Sequence, residues 1–154
     1  MVQYIEYGDI FGIEGVQNYA HGCNCAGAMG KGIAVAFKEK YPRMYVEYKR
    51  RCKTGEFRPG DIYPYKDAAG YVFNLGTQVS WTTRAELPAV EQSLRKMMTF
   101  AVENGVYRIA LPKIGAGLGR LNWEEVKLVI DQVAADYPDV DLYVVENYKV
   151  EAGL

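Results

Sequence analysis

Two glycine-rich stretches constrain this chain more than any other feature: His21-Gly22-Cys23-Asn24-Cys25-Ala26-Gly27-Ala28-Met29-Gly30-Lys31-Gly32 and Ile114-Gly115-Ala116-Gly117-Leu118-Gly119. Each follows a short apolar run that reads as a strand, and each leads into a helical pattern. Glycine tolerates positive φ and lets backbone N–H groups approach a ligand closely. A helix N-terminus behind such a loop favours anions. Two such loops, far apart in the chain, point to one phosphate-bearing ligand gripped from both sides. The alternative is a pair of ordinary strand-to-helix turns, which need far less glycine.

The rest of the pattern is α/β. Val2–Tyr7 reads as a strand ended by Gly8-Asp9, and Gln17–Gly22 as a second strand entering the first loop. Gly32–Lys40 reads as helix, with Ile33, Ala36 and Phe37 at helical spacing; Pro42 suits the first turn of another, Arg43–Cys52. Ile62–Tyr65 and Tyr71–Leu75 flank a turn at Asp67–Gly70 and predict a hairpin. Leu87, Val90, Leu94, Met97, Met98 and Ala101 form an amphipathic stripe that Gly105 stops. Arg108–Leu111 is a buried strand before the second loop. Asn122 with Glu125 three residues on predicts a capped helix whose inner face is Val126, Val129, Ile130 and Val133. Asp141–Val145 is a last strand. Strands alternating with helices, plus one hairpin, predict a three-layer α/β/α sandwich around a mixed, mostly parallel sheet. With no linker or repeat, residues 1–154 read as one domain, and this length suffices to bury a core.

Composition narrows the partners. A formal net charge of −1 gives no basic field for a nucleic acid. No apolar run approaches membrane-spanning length. The start, Met1-Val2-Gln3-Tyr4-Ile5-Glu6-Tyr7, lacks a signal-peptide pattern, and three cysteines make no disulfide framework, so a cytoplasmic setting is expected.

Gly8-Asp9-Ile10 after the first strand, Asn24 running to Met29-Gly30-Lys31-Gly32-Ile33-Ala34, Leu111-Pro112-Lys113-Ile114-Gly115-Ala116-Gly117-Leu118 and Asn122-Trp123 together resemble a macro domain, the fold that binds ADP-ribose. The resemblance covers nearly the whole chain. It is strongest to the branch holding the terminal ADP-ribose protein glycohydrolase, the antitoxins that remove ADP-ribose from DNA, and the yeast ADP-ribose 1″-phosphate phosphatase. It implies that Asp9 accepts from the adenine amino group and Ile10 offers its backbone N–H to the ring. Ala28, Met29, Gly30, Lys31, Gly32 and Ile33 would pack on the distal ribose and diphosphate. Ile114, Gly115, Ala116, Gly117, Leu118 and Gly119 would hold the diphosphate by backbone N–H groups. Asn24 would bind the distal ribose, and Asn147-Tyr148 would lie at the adenine, though Tyr148 suits core packing equally well. No cofactor is implied; the partner is ADP-ribose or an ADP-ribosylated substrate.

The chain also departs from that branch. In Asn74-Leu75-Gly76-Thr77-Gln78-Val79, Gln78 stands where the glycohydrolases carry a lysine, and Gly119 stands where the terminal enzyme has an aspartate. A neutral amide is no amine nucleophile, and glycine offers no base. His21, Asn24, Lys31, Thr77, Gln78 and Ser80 remain near the expected distal ribose. His21, the only histidine, is either a proton carrier for phosphate-ester cleavage or a buried strand histidine. His21, Cys23 and Cys25 share one face of an extended strand, but structural zinc wants four ligands and only distant Cys52 remains, so no metal is expected. Of three functions, a dinucleotide oxidoreductase or nucleotide-dependent transferase is the weakest, since no Gly-x-Gly-x-x-Gly follows the first strand and no P-loop lysine pattern occurs; two stay open. A lone domain favours an enzyme that trims ADP-ribose derivatives; the absent lysine and aspartate favour a non-catalytic reader.

Overall fold

The computed structural model describes residues 1–149; the last five residues of the expected domain lie outside it. In chain order the elements are β1 (Val2–Gly8), a 3-10 turn (Ile10–Gly12), β2 (Tyr19–Asn24), α1 (Ala34–Lys40), α2 (Pro42–Thr54), β3 (Ile62–Lys66), β4 (Tyr71–Gln78), α3 (Leu87–Glu103), β5 (Arg108–Pro112), α4 (Trp123–Ala135) and β6 (Asp141–Tyr148).

One sheet joins all six strands in the order β1-β6-β5-β2-β4-β3. Every neighbouring pair is parallel except β3 with β4, the predicted hairpin. Its turn closes where Asp67 donates its backbone N–H to Gly70 O at 2.7 Å. Side-chain alternation sends successive residues to opposite layers. Ala20, Phe73, Leu75, Ile109, Leu111, Leu142 and Val144 pack under α3 and α4. Tyr19, Cys23, Val72, Ala110 and Val145 pack under the 3-10 turn, α1 and α2.

Local chemistry explains the helix ends. Asn122 Oδ1 accepts the Glu125 backbone N–H at 3.2 Å, the predicted cap of α4. Gly105, at φ +70°, ends α3 and lets Val106 N–H reach back to Ala101 O at 2.8 Å.

Strand boundaries differ from expectation in one direction. β2 begins and ends two residues later than predicted, and β4 and β6 run three residues further. Asn18 explains the start of β2: its side chain receives Tyr71 N–H at 2.8 Å and its carbonyl receives Ala110 N–H at 2.9 Å, tying the strand's entrance to both neighbours. At the other end β2 pairs with β4 through Cys23 opposite Gly76, then shifts register so that Asn24 faces Gln78. Residues expected in loops therefore sit on strand ends. Among the described residues no helix is long and apolar enough to cross a membrane.

Candidate functional site

Five parallel strands deliver their C-terminal ends to one edge of the sheet, where the chain must turn back over either layer and leaves a crevice. That crevice has two adjoining lobes of about 480 and 420 Å³. Gly22, Lys31, Ala34, Gln78 and Leu118 line both, so they form one continuous cleft. The two glycine loops are its walls.

The first loop is shaped by Asn24. Its Oδ1 accepts the backbone N–H of Ala26 at 3.0 Å and of Ala28 at 3.2 Å, and its Nδ2 donates to Ala28 O at 2.8 Å. The Tyr48 hydroxyl donates to the Asn24 carbonyl at 2.6 Å. Most of the Asn24 amide thus holds the loop, leaving one amide hydrogen toward the lobe it lines. Ala28, Met29, Gly30 and Lys31 line that lobe; Gly32 and Ile33 line the other. Gly32, at φ +63°, makes the turn that starts α1.

The second loop divides its glycines by task. A Cβ on Gly115 would lie 3.0 Å from Leu121 Cδ1, and one on Gly119 would lie 2.6 Å from Gly115 O and 2.7 Å from Ala85 Cβ. Those two are packed. Gly117, like Gly30 in the first loop, has nothing within 4 Å of a Cβ, and both line the cleft. Ile114, Gly115, Leu118 and Gly119 line it, whereas Ala116 packs against the α3/α4 core. The absence of an acid at 119 is therefore built into the loop, since no side chain fits there.

Gln78 is 6% exposed and lines both lobes. Its Nε2 donates to Ser80 O at 2.8 Å and to Thr83 O at 3.0 Å, so the residue in the lysine position staples the following loop. Buried Thr77 lines the second lobe and donates to Cys23 O at 3.3 Å.

At the far end, the Asp9 carboxylate accepts the Phe11 N–H at 2.9 Å and caps the 3-10 turn. It lines neither lobe, but its charge helps raise the phenols of Tyr19 and Tyr148, after burial as the main cause. Tyr148 ends β6, lines the second lobe and packs edge-on to Phe11 at 6.2 Å. Ile10 is wholly buried in the core. Asn147 lines neither lobe; it is exposed, and its Nδ2 donates to Glu6 O at 2.8 Å and straps β6 to β1.

His21 also lies off the cleft. It is fully buried, stacked on Phe37 with ring centroids 4.0 Å apart, and its Nε2 lies 2.6 Å from Asn74 Oδ1. Asn74 Nδ2 donates to Tyr63 O at 3.0 Å, so its Oδ1 is the acceptor and His21 Nε2 carries the proton. Nδ1 has no partner. Burial pulls the imidazole down to about 4, against an upward pull from the Asn74 bond. A group so enclosed reaches no ligand in the cleft; of the two readings of His21, the structure has the buried strand histidine. Burial likewise pushes Cys23 far above the ordinary thiol range and Cys25 to about 12, so neither is a thiolate at neutral pH. Among the described residues no three His, Cys, Asp or Glu side chains converge as metal ligands would.

The cleft holds residues that sequence reasoning did not assign. Trp81 lines the first lobe while 60% exposed, with Lys31 Nζ 5.8 Å from its ring centroid. An aromatic amid Ser80, Thr82 and Thr83 was the available signal. Arg120 lines the same lobe at φ +62° and donates to Thr82 O at 3.0 Å, while Arg84 donates to Arg120 O at 3.1 Å. A non-glycine residue in that region is worth attention near a site, and only coordinates reveal it. Lys113 and Glu146 line the second lobe. The cleft therefore offers backbone N–H groups, three cations and one carboxylate.

Residues 20–130 match the Macro domain family. The chain is 33% identical over 122 residues to the DNA ADP-ribosyl glycohydrolase of Mycobacterium tuberculosis, a match covering 77% of this chain and 35% of that protein. It is 30% identical over 132 residues to the human ADP-ribose glycohydrolase OARD1, covering 86% of this chain and 83% of that one. The solved macrodomain of Mycobacterium tuberculosis DarG has a TM-score of 0.86 at 29% identity, covering 98% of this chain and 99% of that one. The chain spans little more than a third of the length of the DNA ADP-ribosyl glycohydrolases it matches.

Proposed function

The chain belongs to the macro domain family, and from that premise we propose that its cleft binds ADP-ribose and that the protein hydrolyses a labile group from the distal ribose. The observation that carries this reading is the pair of unobstructed glycines, Gly30 and Gly117, one on each loop lining a continuous cleft. A diphosphate needs close backbone approach from both sides, and these positions leave room for it. Lys31, Lys113 and Arg120 add positive charge along the same path. Adenine then lies toward Asp9, Ile10 and Tyr148, and the distal ribose toward Asn24, Thr77 and Gln78.

Hydrolysis here relies on positioning. The ionisable residues lining the first lobe are Cys23, Lys31 and Arg120, with no carboxylate or histidine among them. Asn24 orients the distal sugar or a water, and such placement lowers a barrier substantially. That lining also supports a second reading, a domain that recognises ADP-ribose without turnover. Three free cysteines fit a reducing cytoplasm, and residues 1–154 fit one domain.

ADP-ribose at one hundred times its dissociation constant should add about 2.7 kcal/mol of stability. For a domain of this size that raises the melting temperature by roughly 5–11 °C. NAD, with a nicotinamide at the distal end, should raise it less. A large shift with NAD and none with ADP-ribose would overturn the reading. Turnover is then measured on ADP-ribose 1″-phosphate and on an ADP-ribosylated substrate, with borohydride present to trap any lysine–sugar adduct. Hydrolysis without an adduct is expected; no turnover on either substrate identifies the reader.

Asp9→Ala should weaken ADP-ribose binding by about 1–3 kcal/mol, the scale for losing a hydrogen bond to a charged acceptor. Selectivity for adenine should fall with it. Titration of ADP-ribose against its guanine counterpart checks both, and an unchanged affinity removes Asp9 from the site.

A further inference from the structure

We infer that Glu146 sets the specificity of the cleft's adenosine end, accepting a hydrogen bond from the ribose 2′-hydroxyl and excluding a 2′-phosphate. The inference rests on the ADP-ribose reading above. On that reading the sheet order lays the ligand out: β1 ends at Gly8, just before Asp9, β6 ends at Tyr148, and the loops after β5 and β2 take the diphosphate. The sugar joining adenine to the diphosphate must therefore cross the ends of β6 and β5. Glu146 is the β6 residue at that crossing, and it lines the second lobe with Tyr148 and Lys113.

Its carboxylate is held in place. The Trp123 indole N–H donates to Oε2 at 2.7 Å, and Lys127 Nζ stands 3.7 Å from the same oxygen. Oε1 has no hydrogen-bond partner among the described residues. A carboxylate only accepts, so its free oxygen suits a sugar hydroxyl; acidic residues read ribose in this way in dinucleotide-binding folds. A phosphate at that hydroxyl would instead meet a fixed like charge in a recessed site. Lys113 lines the same lobe, but it belongs to the loop that grips the diphosphate and lies over the Trp123 ring at 5.9 Å. Its attraction acts chiefly on the diphosphate, which both ligands share.

The test is calorimetric titration of wild type and Glu146→Gln with ADP-ribose and with ADP-ribose 2′-phosphate. Wild type should bind the 2′-phosphate about 30-fold or more weakly than ADP-ribose, the scale of an unfavourable like-charge contact. In Glu146→Gln the amide oxygen still accepts from Trp123, so the melting temperature should hold. ADP-ribose affinity should fall about tenfold for the lost charge-assisted bond, and the gap between the two ligands should shrink to about threefold or less. If that variant fails to fold, Glu146→Thr is read by the same gap. Equal binding of both ligands by wild type, or an undiminished gap in the variant, overturns the inference while leaving ADP-ribose binding intact. Failure of wild type to bind ADP-ribose overturns the parent reading and this one together.

Discussion

Gly30→Glu and Gly117→Glu should each lower ADP-ribose affinity by about 100-fold or more, near 2.7 kcal/mol, while leaving the protein folded. Neither glycine has a positive φ, and a Cβ on either meets no atom within 4 Å, so the backbone and its neighbours accept a side chain. The glutamate then occupies the cleft and sets a negative charge against the diphosphate in a partly enclosed site. Gly119→Asp is the informative contrast. It supplies the acid found elsewhere in the branch, yet its Cβ would sit 2.6 Å from Gly115 O and 2.7 Å from Ala85 Cβ. That overpacking should destabilise the fold by about 1–3 kcal/mol. Titration calorimetry and urea unfolding on all three variants separate the effects. Wild-type affinity in both Gly30→Glu and Gly117→Glu would contradict a ligand gripped between the two loops.

The elements that could be read from the chain are those whose determinants are local. The Asn122 cap, the stop at Gly105 and the stripe from Leu87 to Ala101 each depend on residues within one or two turns. The glycine loops were equally legible, because a run of glycines has few other uses. The strand ends were not. Asn24, Gln78 and Tyr148 are polar or amphipathic residues that resemble loop in a linear reading, yet each is the last residue of its strand. They lie there because parallel strands end at the crevice, where polar side chains border the cleft and its loops rather than core. Gln78 shows a second limit. Its identity announced a missing nucleophile, but its bonds to Ser80 and Thr83 needed coordinates. Arg120 and Glu146 were invisible for a related reason: their places depend on Thr82 and Trp123, brought close only by the fold.

His21 was equally opaque, since its partner Asn74 lies 53 residues away, and it underlies the second large expected effect. Wild-type stability should fall by about 3 kcal/mol as pH drops from roughly 6.5 to 4, through this residue alone. In the folded protein the imidazole titrates at about 4 because burial opposes its charge; in the unfolded chain it titrates near 6.5. Between those values the unfolded state binds more protons, so stability rises with pH across the window. It is complete above 6.5 and lost as acid charges the unfolded histidine. The added proton would sit on Nδ1, which has no acceptor in the core. Carboxylates also titrate in this range, so the measurement is a difference. His21→Gln keeps a donor toward Asn74 Oδ1 but loses the stack on Phe37, and should be the less stable protein at pH 7.5. Its deficit should shrink steadily toward pH 4.5, because only wild type pays for an uncharged imidazole. Urea midpoints of both proteins across this range give the curve. A deficit that stays constant with pH would show that His21 titrates alike in the folded and unfolded chain, and that its burial does not hold it neutral.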